Sequence, residues 1–172
     1  MIEKFPSHGS HAVGVDMIET DRVARVLSKH PRRFLERVYT EAERAFCRGR
    51  VPELAARFAA KEAVMKMLGT GARSVGWKEI EVLPDRRGKP LVYLYGGARR
   101  RAQVIELDAI DISLTHLLSF AMAVSVGHVR EPEQIQSDAR EFLLLRLRER
   151  GLLGKNEGDA PEPPGRNGIG SE

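Results

Sequence analysis

The sequence predicts an α+β domain followed by an appended helix. Three observations carry this. The hydrophobic periodicity switches along the chain from about 3.6 residues to about 2, so helical and extended segments both occur. Their order is strand, several helices, hairpin, short helix and two strands, which is neither a βαβ alternation nor an all-helical run. Within the helical part, Ala56, Ala59, Ala60, Ala63 and Met67 recur at helical spacing. That small-residue face lets another element approach the helix backbone closely.

Composition narrows the classes. A chain of 172 residues, 42% hydrophobic and 30% charged, suits one domain with a real core. The net charge of +4 fits an anionic partner but is too small and too dispersed for bulk nucleic-acid binding. One cysteine, Cys47, excludes an intramolecular disulfide and a cysteine-rich zinc site. No apolar run reaches the length of a membrane span, and the first residues lack the order of a signal peptide. A reduced, cytoplasmic setting without membrane attachment is expected.

Taken in order, residues 1–11 read as a flexible leader, in which His8 and His11 are solvated rather than metal ligands. Residues 12–18 form a short buried strand with Asp16 at its end, a carboxylate that burial penalises unless it is paired or bound to metal. Glu19, Thr20 and Asp21 supply the cap and first-turn acids of a helix that Pro31 stops. Val23, Val26 and Leu27 are its inner side, and Arg22, Arg25 and Lys29 line one face, extended by Arg33. A same-sign stripe of this kind suits an acidic protein partner. Thr40 with Glu43 is a capping box opening a helix to Cys47, a packing residue. Pro52-Glu53 starts the alanine-faced helix, which Gly69 closes. In it Arg57 and Lys61 are like charges one turn apart, which weakens a helix unless an anion neutralises them, while Glu62 faces Lys66. Residues 77–83 alternate as a strand, Pro84 to Pro90 form a turn, and Leu91–Tyr95 return as the second arm of a hairpin. A short helix at 97–106, a strand at 110–116 and a small-residue, central strand at 119–127 complete the domain. An amphipathic helix over 133–150 follows, and residues 151–172 have the composition of a disordered tail.

The chemistry centres on two acids in unusual places, Asp16 and Glu62. Two carboxylates with water and substrate phosphate completing the shell is a ligand set Mg²⁺ favours. Neighbouring lysines and arginines would hold phosphate oxygens. The Gly69-Thr70-Gly71 step offers backbone N–H groups as a weaker phosphate contact, and neither a Walker A sequence nor a dinucleotide fingerprint is present.

Four ordered motifs carry a resemblance. Gly14-Val15-Asp16-Met17-Ile18-Glu19 ahead of Arg22 resembles the first motif of the holo-acyl-carrier-protein synthases, within the 4′-phosphopantetheinyl transferase superfamily. Arg57-Phe58-Ala59-Ala60-Lys61-Glu62-Ala63 followed by Lys66 resembles the second, and Gly88-Lys89-Pro90 and Ser113-Leu114-Thr115-His116 match two more. The resemblance covers about residues 12–128, leaving 129–150 as an extension helix and 151–172 as tail. It implies the phosphopantetheinyl transferase fold, a small antiparallel sheet packed against a long helix. It implies transfer of the phosphopantetheine arm of coenzyme A to a serine of apo acyl carrier protein, with release of adenosine 3′,5′-bisphosphate, as in fatty acid biosynthesis.

Carried over residue by residue, Asp16 and Glu62 hold Mg²⁺, and Glu62 or a metal-held water takes the serine proton. Lys66 stabilises or protonates the departing phosphate. Arg57, Lys61 and Gly69 bind coenzyme A phosphates, with Gly88, Lys89, Pro90 and His116 toward the nucleotide; a core role for His116 is the alternative. Arg22, Arg25, Lys29 and Arg33 dock the carrier. The resemblance also implies a homotrimer with active sites shared between subunits. The same acids would serve a Mg²⁺-dependent hydrolase of coenzyme A or a nucleotide diphosphate, and the basic stripe alone would serve a non-catalytic carrier-binding module. The extension beyond residue 128 departs from the short family pattern.

Overall fold

The computed structural model describes residues 10–130 and 139–153. The chain divides into two compact units, residues 1–133 and 134–172. Most of the leader, the start of the expected extension helix and nearly all of the tail lie outside the described residues.

In the first unit, β1 (His11–Glu19), β4 (Leu107–His116) and β5 (Phe120–Val129) form an antiparallel sheet in the order β1-β5-β4. β5 is central, as its small residues indicate, but it is buried on one face only. Ala121, Ala123, Ser125 and Gly127 face the core while Phe120, Met122, Val126 and His128 alternate outward. His11, assigned to the leader by sequence, begins β1 and pairs with His128. Asp16 lies inside β1 rather than at its end, because pairing with β5 continues through Glu19.

The inner face of the sheet packs on α4 (Val51–Met67), whose Ala55, Ala56, Ala59, Ala60 and Ala63 are all buried. Contact is so close at Gly14 that a Cβ there would lie 1.9 Å from the Ala63 carbonyl oxygen and 2.7 Å from the Met67 nitrogen. Both obstacles are backbone, so neither can swing aside. Gly14→Ala is therefore expected to cost about 3 kcal/mol, the upper end of overpacking. Chemical denaturation checks this, and an unchanged midpoint would mean that β1 is not seated so deeply.

Around this core, α1 (Thr20–Lys29) ends and α2 (Pro31–Val38) begins at Pro31, which sits in the first turn where no N–H is needed. The acids at the start of α1 make no side-chain cap. Instead the Thr20 hydroxyl donates to the Leu118 carbonyl, and its N–H to that of Ser119 at 2.9 Å. Val23 is buried as predicted, but Val26 is 38% exposed and stands among the basic side chains. The Thr40–Glu43 capping box opens α3 (Glu41–Cys47), and the buried Cys47 thiol is pushed up to about 11, chiefly by burial, which leaves no thiolate for chemistry.

After α5 (Gly71–Ser74), residues 77–79 form a 3₁₀ turn rather than the predicted start of a strand. Glu79 folds back to accept from the Gly76 N–H at 3.0 Å and the Gly97 N–H at 2.9 Å. The hairpin β2 (Ile80–Pro84) and β3 (Pro90–Leu94) stands apart from the main sheet. α6 (Gly96–Val104) ends earlier than its sequence pattern, and β4 starts three residues before expected, at Leu107. In the second unit, α7 (Ala139–Glu149) exposes Phe142, Leu143 and Leu145.

Candidate active site

β1 and α4 bring together side chains far apart in sequence. The Lys66 ammonium on α4 donates to Asp16 Oδ1 at 2.8 Å and to the Val15 carbonyl at 2.9 Å, across 50 positions of chain from the aspartate. Helical geometry then sets Glu62 one turn from Lys66. Lys66 is thus the partner of Asp16 rather than of Glu62. The Glu62 carboxyl is raised above its ordinary range, first by burial and then by the Asp16 charge, against the pull of Lys66 and Arg22. Two acids repelling each other beside two cations form a site that a further cation would relieve. Among the described residues no cluster of three or more metal-ligating side chains occurs, so a metal held here would keep water or substrate oxygens in its shell, as Mg²⁺ does.

An open cleft of about 270 Å³ adjoins this spot, lined by Met17, Ile18, Glu19, Arg22 and Phe120. Arg22 therefore belongs both to the cleft and to the electrostatics of Glu62. Arg25, Lys29 and Arg33 are exposed and continue the basic surface along α1 and α2.

Lys61 stands elsewhere, and this corrects the phosphate role expected for it. Its side chain is fully buried, as is that of Glu43, with their charged atoms 2.8 Å apart. The ammonium also donates to the carbonyls of Trp77, at 2.9 Å, and Ile80. Burial holds it below the ordinary lysine range, with Glu43 opposing. Every donor of Lys61 is used inside the core, and none faces solvent phosphate. The repulsion expected between Arg57 and Lys61 is met by protein acids, since Arg57 pairs with Glu53 at 2.8 Å. Arg57 lies over the Phe46 ring at 4.4 Å, and its buried Nε finds no hydrogen-bond partner among the described residues.

The Gly69 step is also corrected. The N–H groups of Gly69 and Thr70 bond to the carbonyls of Lys66 and Met65, closing α4, so they are not free for a ligand. Gly69 is required by its φ of +70°. Gly88, at φ +88°, serves the hairpin turn, in which Asp85 accepts from the Arg87 and Lys89 N–H groups. The Lys89 ammonium meets Asp111 at 3.0 Å on the surface, and such a pair opens readily. Pro90 begins β3. His116 is exposed at the end of β4, which removes the core-histidine alternative. By register it shares with Ile18 and Asp16 the face of the sheet that packs on α4.

Glu43 is the partner of Lys61 that sequence reasoning missed. Its capping role was legible, whereas its second oxygen, which takes the Val82 N–H at 2.9 Å, depends on long-range packing.

Comparisons with known proteins concern the first of the two units. Residues 12–125 match the 4′-phosphopantetheinyl transferase superfamily. A holo-[acyl-carrier-protein] synthase of Herpetosiphon aurantiacus is 45% identical over 121 residues, 66% of this chain and 95% of that protein. One from Caldanaerobacter subterraneus subsp. tengcongensis is 42% identical over 118 residues, 67% of this chain and 92% of that protein. Among solved structures, the Helicobacter pylori holo-[acyl-carrier-protein] synthase in complex with coenzyme A aligns with a TM-score of 0.62 at 25% identity, covering 67% of this chain and 98% of that one. The Bacillus anthracis synthase in complex with CoA (3′,5′-ADP) aligns at 0.57 and 35% identity, covering 69% and 96%.

Proposed function

The chain belongs to the 4′-phosphopantetheinyl transferase superfamily, and from that premise we propose that it is a holo-[acyl-carrier-protein] synthase. It moves phosphopantetheine from coenzyme A to a serine of apo acyl carrier protein and releases adenosine 3′,5′-bisphosphate. The observation that carries this reading is the meeting of Asp16, Glu62 and Lys66 beside the basic face of α1.

Asp16 and Glu62 would hold Mg²⁺. When bound, Mg²⁺ supplies charge neutralisation at the coenzyme A diphosphate. Glu62, or a water held beside it, accepts the proton of the carrier serine. The serine oxygen then bonds to the phosphorus that bears pantetheine, and the bond from that phosphorus to the bridging oxygen of the diphosphate breaks. The negative charge leaves with the nucleotide. Lys66 spends two donors on Asp16 and Val15 and keeps a third for a phosphate oxygen of the leaving group. Lys89 and His116, both exposed, serve the nucleotide end, whereas Arg57, 6% exposed and paired with Glu53, would have to give up that pair to reach a phosphate.

Arg22, Arg25, Lys29 and Arg33 meet the acidic carrier. The outward face of the sheet, with Val13 and Met17 each 63% exposed beside Val15, Met122 and Val126, supports packing of three copies against one another. We place the protein in the cytoplasm, consistent with the absence, among the described residues, of any helix long and apolar enough to cross a membrane.

The test is to incubate the protein with Mg²⁺, coenzyme A and an apo carrier protein, and then weigh the carrier. A gain of one phosphopantetheine supports the transferase. Cleaved coenzyme A with an unchanged carrier means a hydrolase, and carrier binding with no chemistry means a binding module. Arg25→Glu with Arg33→Glu, which spares Arg22 beside Glu62, is expected to weaken carrier binding about 100-fold at low salt and much less at high salt. Direct titration with coenzyme A should give an unaltered affinity; equal loss of both ligands would sink the docking assignment.

A further inference from the structure

The turn between β4 and β5 presents two bare leucines, Leu117 at 69% and Leu118 at 92% exposure. The paired ladder of β4 and β5 ends at His116 and Ala121, so these leucines stand beyond the sheet. They are nonetheless held in place. Thr20, the first residue of α1, takes the Leu118 carbonyl with its hydroxyl and the Ser119 carbonyl with its N–H. The tip is thereby fixed to the start of the helix that carries Arg22, Arg25 and Lys29. Beside the start of that helix is the cleft lined by Met17, Phe120 and Arg22, and Arg22 bears on Glu62. A protein docking surface joins an apolar centre to a polar rim, and scattered cations alone lack that centre.

We infer that Leu117 and Leu118 are an apolar anchor for the acidic carrier protein, seated beside the basic stripe and steering the carrier's serine toward Asp16 and Glu62. This rests on the transferase reading above. The occupant is the carrier and not a second copy of the chain, because the tip is tied to the basic helix and lies past the last residue pair of the sheet. Val26, 38% exposed, offers a second apolar contact within the basic stripe itself.

The experiment compares wild type with Leu117→Ser/Leu118→Ser, using an apo acyl carrier protein that the wild-type chain modifies. KM for the carrier is expected to rise about tenfold, the effect of losing an interface anchor. That rise persists at high salt, unlike the effect of reversing basic residues, while coenzyme A affinity and the mass in solution stay the same. Leu118→Met, which keeps the apolar contact, should retain a near wild-type KM and guards against a variant that folds poorly. An unchanged KM in the double serine variant overturns the anchor while leaving the transferase reading intact. A fall in oligomer mass assigns the tip to contacts between copies and also overturns it. A wild-type chain that modifies no carrier sinks both readings.

Discussion

Replacing Glu62 by glutamine is expected to lower carrier modification about 10³-fold, the loss associated with removing a positioned base, while leaving the folded protein as stable as before or slightly more so. The two halves of this expectation have one cause. Burial and the Asp16 charge both disfavour the ionised Glu62 carboxyl. A neutral amide of the same shape relieves that penalty and at the same time removes the proposed proton acceptor and one of the two proposed Mg²⁺ ligands. Asp16→Asn should behave differently, because it strips Lys66 of its 2.8 Å partner. Activity falls similarly, but relief of strain on Glu62 is set against a lost ion pair. Mass measurement of the carrier and thermal melts with and without Mg²⁺ separate the outcomes. Mg²⁺ with coenzyme A should raise the melting temperature of wild type and fail to do so for Glu62→Gln. A fully active Glu62→Gln enzyme would remove Glu62 from the mechanism.

Lys61→Met is expected to have the larger effect on stability, a loss of about 3–5 kcal/mol, because it strands the Glu43 carboxylate in the core. Glu43 keeps the Thr40 and Val82 N–H donors but loses its countercharge, and the carbonyls of Trp77 and Ile80 lose theirs. Adding Glu43→Gln should recover part of the loss, since it removes the stranded charge but leaves one of the Thr40 and Val82 N–H groups without an acceptor. Denaturant melts of the two single variants and the double variant give the cycle. If Lys61 were instead a phosphate ligand, its replacement would leave the melt unaltered and weaken coenzyme A binding.

The contrast between Glu62 and Lys61, neighbours in one helix, shows how far the sequence could be read. A helix separates successive residues by about 100°, so Lys61 and Glu62 point in different directions, and only the surrounding elements decide which direction is the core. The alanine face, the capping box and the strand alternation were local and therefore visible. So was the unusual acid Asp16. What escaped was the choice of partner: Lys66 goes to Asp16 across 50 positions, and Glu43 goes to Lys61 from a neighbouring helix. The 3₁₀ turn at 77–79 escaped for a related reason. Its side chains alternate like those of a strand, while the hydrogen bonds from Gly76 and Gly97 to Glu79 make it a turn. The grouping of Asp16 with Glu62 was read from the residues themselves, and the family motifs then assigned Lys61 a coenzyme A role, although its burial is encoded in no motif.

The pairing of β1 with β5 has a consequence for how the protein is made. The first strand to be synthesised lies beside the last strand of the sheet, joined from His11–His128 to Glu19–Phe120. Until β5 exists, β1 lacks its hydrogen-bonding neighbour, and the alanine face of α4 has only part of its cover. Contacts between distant parts of a chain slow folding, and uncovered apolar surface invites association with other chains meanwhile. The nascent chain therefore carries Asp16, Glu62 and Lys66 well before the sheet that organises them can close, so competence for chemistry arrives late and all at once. Truncations that end before Val129 should leave no partly active fragment, since they remove strand pairs from the middle of the sheet rather than from its edge.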